Sequence, residues 1–257
     1  MLELSYVILL LVAGYLLFAA FLYFYQRKMI YYPVQPDPEF DADEIFIDND
    51  GTRLHGWVLN PGKAKAVIYF GGNSELVSHR RGFFESVFSD HSVYLINYRG
   101  YGNSEGSPSE AALFSDALAI YDTLAARHDS IIAYGRSLGS GVAVYLATKR
   151  ALDRLILLTP YDSITEVAQR AYPLFPVRLL IKDRFDSAAR APDIEVPVLI
   201  TSAEQDREIG LQHTLALRQR FERARVVYYQ IAGAAHNDIV DFTEYRELVG
   251  RFVAGEV

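Results

Sequence analysis

Ile131-Ile132-Ala133-Tyr134-Gly135-Arg136-Ser137-Leu138-Gly139-Ser140-Gly141 carries an apolar stretch of strand length into a Gly-x-Ser-x-Gly pattern, and Val142-Ala143-Val144-Tyr145-Leu146-Ala147 continues it as an apolar helix. The predicted order is strand, sharp turn, helix. A serine hydroxyl is a poor nucleophile until it is lifted clear of the backbone and handed to a base, and a strained strand-to-helix turn does the lifting. Gly135 and Gly139 follow from the same geometry, because strand and helix backbones approach so closely there that side chains two residues either side of the serine would collide. The helix also presents its positive N-terminal end. The backbone N–H of Leu138 is therefore an expected donor to an oxyanion.

Outward from this turn, strands and helices alternate. Upstream, the runs at 44–47 and 54–59 are separated by Asp48-Asn49-Asp50-Gly51 and read as a hairpin, followed by a buried strand at 66–70 that ends in Gly71-Gly72-Asn73-Ser74. A helix is expected from Glu75 to about Ser89, a strand at 93–97, and a helix from about 110 to Arg127 with Ser109 as its N-cap. Downstream come strands at 155–158, 198–201 and 226–229, a helix at 211–221, and a last helix from Asn237 to about Val253. The tract at about 159–192 is rich in proline and aromatics, only partly helical in pattern, and is read as a short lid. The fold class is thus α/β: a mostly parallel eight-stranded sheet with an antiparallel edge and helices on both faces. In such sheets function collects in loops past the C-terminal ends of the strands.

A serine nucleophile needs a base, and the base needs a partner that fixes its tautomer. Of the six histidines, His55 falls in the hairpin, His79, His91 and His213 fall in or beside helices, and His128 in a turn. His236 alone follows a strand end, just past the last strand, and is the expected base. The acid belongs after the penultimate strand, where Thr201-Ser202-Ala203-Glu204-Gln205-Asp206-Arg207-Glu208 offers three carboxylates. Asp206 is the choice, with Glu204 and Glu208 as fallbacks. The second oxyanion donor is expected at the N–H of Asn73, where Gly71 and Gly72 let the backbone approach a substrate.

Residues 4–25 hold no charged side chain, and as a helix at about 1.5 Å per residue they span about 33 Å against about 30 Å of bilayer hydrocarbon. One transmembrane helix is expected, retained as an anchor over residues 1–29, because Glu3 precedes the run and bulky Phe21 to Tyr25 close it, unlike a cleaved leader. The remaining domain spans 30–257, with its soluble part beginning near Ile30. Arg27 and Lys28 are the only flanking basic side chains, which by the positive-inside rule puts that domain in the cytoplasm. A net charge of -7 without a basic cluster argues against nucleic-acid binding. Zero cysteines give no disulfide framework. No His-x-His, His-Glu-x-x-His or Gly-x-x-x-x-Gly-Lys pattern occurs, so neither metal nor phosphate-bearing cofactor is expected. A short acidic, proline-containing joint is read at 33–44.

Six stretches resemble a known family: Tyr98-Arg-Gly-Tyr-Gly-Asn-Ser-Glu-Gly, Gly135-Arg-Ser-Leu-Gly-Ser-Gly, Thr159-Pro-Tyr-Asp-Ser-Ile-Thr, Tyr172-Pro-Leu-Phe-Pro-Val, Arg184-Phe-Asp-Ser and Gly233-Ala-Ala-His-Asn-Asp. They are similar to the α/β-hydrolase superfamily, and within it to the membrane-anchored Bem46-like group related to depalmitoylating hydrolases. The resemblance implies Ser137, Asp206 and His236 as a triad. Departures are Gly71, where the group carries histidine, Ser202-Ala203 in place of His-Gly, and Gly210 in place of proline. The resulting expectation is a cofactor-free serine hydrolase acting on an ester or thioester of an acyl or lipid-like substrate at the bilayer surface. A proline-releasing peptidase, betrayed by demand for a free α-amino group, and a non-catalytic membrane-tethered binding protein are the competing readings.

Overall fold

Ser130–Arg136 forms β5, flanked by β3 (Lys65–Phe70) and β6 (Arg154–Leu158) in parallel register, with Gly135 opposite both Phe70 and Leu157. The structure is a computed structural model and describes residues 2–36 and 40–257; the part of the proline-containing joint at 37–39 lies outside the described residues. The run of β5 is apolar without interruption because both faces are covered. Ile131 and Ala133 pack with α3 (Glu110–Ala125) and α4 (Leu138–Ala147), while Ile132 and Tyr134 pack with α2 (Arg81–Val87) and α9 (Thr243–Ala254). Each such buried side chain is worth about 1.5–3 kcal/mol, so the two faces together fix β5 as the spine of the fold.

The sheet is completed by β1 (Asp43–Asn49), β2 (Thr52–Leu59), β4 (His91–Ile96), β7 (Val198–Ala203) and β8 (Val226–Ile231). Its eight strands run in the order β1-β2-β4-β3-β5-β6-β7-β8. Among the described residues, only the β1–β2 and β2–β4 pairs are antiparallel. The hairpin turns on Asp50 and Gly51, both at positive φ (50° and 76°), the geometry a tight two-residue turn requires. Ser109 caps α3, its hydroxyl accepting the Ala112 N–H at 3.3 Å. α5 (Ile164–Ala171), α6 (Val177–Leu180) and α7 (Ser187–Arg190) fill the partly helical tract between β6 and β7, and α8 (Leu211–Arg218) packs beside β7.

Three expectations need correction. The helix expected from Glu75 begins only at Arg81, behind a 3-10 turn over Val77–Arg80. Glu75 is turned inward, accepting the Gly72 N–H at 2.7 Å, and so holds the chain in a loop. The last helix starts at Thr243 rather than Asn237. There the Asp238 carboxylate accepts the Ala235 N–H at 2.7 Å, a 3-10 turn follows over Ile239–Asp241, and Phe242 is extended. His91 is the first residue of β4 and does not belong to a helix.

Among the described residues, Glu3–Ile30 is the helix long and apolar enough to cross a membrane. It belongs to α1 (Leu2–Ile30). Leu10 and Leu17, for example, are 71% and 72% exposed. One stripe of α1 is engaged. Tyr15 stacks on Phe175 at 4.8 Å between ring centroids and donates to the Leu174 carbonyl at 3.0 Å. Gln26 donates to the Leu180 carbonyl at 3.1 Å and accepts the Lys182 N–H at 2.6 Å, and Arg27 meets buried Asp183 at 2.9 Å.

Candidate active site

Ser137 stands between β5 and α4 with φ 49° and ψ −117°, a conformation that costs a residue with a side chain about 1–3 kcal/mol. The elbow is closed by backbone on every side. A Cβ on Gly135 would lie 2.4 Å from the Gly139 carbonyl oxygen, and one on Gly139 would lie 2.0 Å from that of Phe70. Both contacts are with backbone, which has no freedom to give way. The Ser137 N–H donates to the Leu158 carbonyl at 2.9 Å, and the Ser140 hydroxyl donates to the Ser137 carbonyl at 2.6 Å. The Ser137 hydroxyl itself has no hydrogen-bond partner among the described residues.

His236 and Asp206 come from loops past β8 and β7 and meet at 2.8 Å between Nδ1 and Oδ2, both side chains being 4% exposed. A carboxylate only accepts, so this contact puts the proton on Nδ1 and leaves Nε2 the basic nitrogen. The other Asp206 oxygen accepts the N–H groups of Glu208 and Ile209 at 2.9 and 2.8 Å. The fallback acids are placed elsewhere. Glu204 accepts the Gly233 N–H at 2.8 Å, and Glu208, half-exposed, approaches His236 Nε2 only to 3.7 Å. A second pair, His213 Nδ1 with Asp162 at 2.8 Å, sits on α8 and the loop after β6, and neither residue lines the cavity described below.

Sequence reasoning missed the group that ties these loops together. The buried Glu75 carboxylate accepts from the Gly72 N–H at 2.7 Å, the Tyr69 hydroxyl at 2.8 Å, Arg136 at 3.0 Å, and Arg80. Burial by itself raises a carboxyl's pKa, but here Arg136 and Arg80 outweigh it and hold Glu75 at about 2. Arg136 reaches on to the His236 carbonyl at 3.2 Å and to the Asn237 side chain. The residue before Ser137 thus touches both the glycine loop and the histidine loop. The signal in the sequence is faint: a glutamate and an arginine at the unspecified positions of two loop motifs. Gly72 also has a structural reason, since a Cβ there would lie 2.7 Å from Arg136 Nη1.

Ser137, Leu138 and Asn73 line one cavity of about 360 Å³, with Tyr161, Ile164 and Val167 along one wall. No described residue accepts from the N–H of Asn73 or Leu138. Both residues line the cavity that Ser137 lines. Glu208 lines the cavity as well, and its carboxylate lies 3.7 Å from His236 Nε2. No group of described His, Asp and Glu side chains has the arrangement of a metal site.

A parallel sheet with an antiparallel edge, helices on both faces, a Gly-x-Ser-x-Gly elbow between strand and helix, and a His–Asp pair in the loops past the last two strands is the α/β-hydrolase architecture. No protein-family model matches the chain. Solved structures share the architecture at low identity: Est1E from Butyrivibrio proteoclasticus superposes with a TM-score of 0.67 at 18% identity over 84% of this chain and 99% of that one. The Pyrococcus furiosus esterase Pf2001 gives 0.71 at 16% identity over 88% and 98%. Sequence relatives are nearer. An uncharacterized protein of Mycobacterium tuberculosis is 32% identical over 256 residues, covering 91% of this chain and 89% of the relative. Alpha/beta hydrolase domain-containing protein 17C of Xenopus tropicalis is 31% identical over 231 residues, 85% of this chain and 72% of that protein. The chain belongs to the alpha/beta hydrolase family.

Proposed function

We propose that this chain is a serine hydrolase that cleaves a carboxylic ester or thioester through an acyl-enzyme, at the surface of a membrane in which α1 anchors it. In the first half, His236 Nε2 takes the Ser137 proton as Oγ bonds to the carbonyl carbon, and the N–H groups of Asn73 and Leu138 hold the oxyanion. The carbon–oxygen or carbon–sulfur bond then breaks and the proton on His236 goes to the leaving alkoxide or thiolate. In the second half, water gives a proton to His236 and its oxygen to the acyl carbon; the Ser137 bond breaks, Oγ recovers the proton, and the acid departs.

The observation that carries the reading is the strained Ser137 opening on an apolar cavity, with a buried Asp206–His236 pair linked to the elbow through Arg136. Membrane anchoring is supported by the exposed apolar α1, and a cytoplasmic hydrolase domain by Arg27 and Lys28 at the end of that helix, under the positive-inside rule.

The test is full-length protein in phosphatidylcholine vesicles, given an ester and thioester series from acetyl to palmitoyl and a prolyl amide, beside its Ser137→Ala variant. Ser137-dependent acyl turnover and fluorophosphonate labelling of Ser137 are expected. Turnover only of substrates with a free α-amino group would move the reading to a peptidase. An unlabelled Ser137 with no turnover would leave the non-catalytic binding protein, and activity falling steadily from acetyl upward would remove the acyl-chain assignment.

A further inference from the structure

The wall of the cavity opposite α5 is supplied by the helix that sequence analysis read only as an anchor. Leu22, Gln26, Met29 and Ile30 of α1 line the same space as Ser137, and Leu22 is 9% exposed in a helix otherwise open on most sides. Tyr15, Phe18, Leu22, Gln26 and Met29 recur three or four residues apart, which is one face of a helix. That side of α1 packs on the chain just past α5 and through α6: Tyr15 and Phe18 meet Phe175, Gln26 holds Leu180, and Arg27 holds Asp183.

Tyr15 and Met29 are separated along the axis by about 21 Å at the rise of an α-helix, a large part of the about 30 Å of bilayer hydrocarbon. An α1 that spans the membrane therefore carries the tip of the α5–α6 segment below the headgroups. Leu174 and Leu179 on that segment are 81% and 83% exposed, acceptable in contact with lipid and poorly placed in water. Arg178, also exposed there, is paired with Glu166 at 2.9 Å. Ser137 lines the same cavity as the α1, α5 and α6 side chains at the seam between these elements.

We propose that α1 is the outer wall of the acyl-binding site, and that the acyl chain of a membrane-resident substrate enters sideways from the bilayer through the seam between α1 and α5–α6. This rests on the acyl-transfer reading of Ser137. It assigns chain-length selectivity to Leu22 and Met29, side chains of the membrane helix itself. A fragment beginning near Ile30 lacks both.

Full-length Leu22→Trp and Met29→Trp in phosphatidylcholine vesicles test this, with Leu17→Trp on the outer face of α1 as the control for disturbance of the helix. The first two are expected to lower the palmitoyl-to-acetyl ratio of kcat/KM at least tenfold, and Leu17→Trp to leave it within about twofold of the parent. An unchanged ratio in both wall variants, with turnover still abolished by Ser137→Ala, overturns the inference and leaves the hydrolase reading standing. A second measurement does not require turnover: diazirine-tagged palmitic acid in the bilayer is activated by light and the adducts are mapped. Labelling within residues 22–30 that Leu22→Trp suppresses supports the wall even if no ester is cleaved. Labelling absent there, or undiminished by Leu22→Trp, overturns it.

Discussion

Arg136 donates from Nη2 to the carbonyl oxygen of His236 at 3.2 Å, so the residue preceding Ser137 in the chain holds the loop that presents the histidine. The same guanidinium is bound from the other side by Glu75, which also fixes the Gly72 N–H one residue before Asn73. A planar fork can hold two loops at once, whereas a lysine ammonium concentrates its charge at one point. Arg136→Lys is therefore expected to lower kcat about 10- to 100-fold, the scale of a displacement on the order of 1 Å at a reacting centre. KM for the same ester should change little, and Ser137 should still react to completion, more slowly, with a fluorophosphonate. Steady-state and labelling kinetics check both; an unchanged kcat would make Arg136 a structural residue only.

Acid should unfold the protein through Glu75. Its carboxyl is held at about 2 in the folded chain, against 4.5 for an ordinary glutamate. A depressed folded-state pKa contributes stability above the unfolded value and loses it as pH falls through the folded value. The window is therefore between about pH 4.5 and 2, and the amount on the order of 3 kcal/mol. Urea midpoints across that range are expected to fall steeply. In Glu75→Gln the protein should be less stable at pH 7, because Arg80 and Arg136 lose their counter-charge, and its midpoint should fall less between pH 4.5 and 2. Parallel slopes in the two proteins would remove Glu75 from the account.

The strands were legible because burial on both faces leaves uninterrupted apolar runs, as in β5, and because Asp50-Gly51 can only be a tight turn. The elbow at Ser137 and the meeting of His236 with Asp206 were reachable from topology, since the histidine and the acid each follow a strand end. Two features were not. Glu75 looked like the first residue of a helix, and its inward turn depends on Arg136, which is 61 residues away in the chain. The docking of α1 on α5–α6 pairs Tyr15 with Leu174 across 159 residues, a separation no local pattern reveals. Gln26, the one amide near the end of an otherwise apolar run, was its only trace in the sequence.

The acid can be assigned by substitution. Asp206 accepts from His236 and from two backbone N–H groups, whereas Glu208 is half-exposed and 3.7 Å from the other ring nitrogen. Asp206→Asn would stabilise the wrong tautomer of His236, and a loss of about 10⁴ in kcat is expected. Glu208→Gln should change kcat by less than about tenfold, since exposed charge is screened by water. Equal losses in the two variants would mean that the carboxylates share the role.

Strain at Ser137 can be separated from chemistry by comparing Ser137→Gly with Ser137→Ala. Both remove the hydroxyl and both should be inactive toward every ester in the series. They differ in how well they tolerate φ 49° with ψ −117°: alanine keeps the Cβ that crowds this backbone, and glycine has none. Against that, glycine loses more entropy on folding, by about 0.4–1 kcal/mol. The strain at such a position is about 1–3 kcal/mol, so Ser137→Gly should be the more stable variant by about 1 kcal/mol in urea denaturation. An alanine variant more stable than the glycine one by the full entropy difference of about 0.4–1 kcal/mol would mean that the elbow holds no strain, and that the placing of the hydroxyl at the cavity owes nothing to a backbone forced out of its ordinary range.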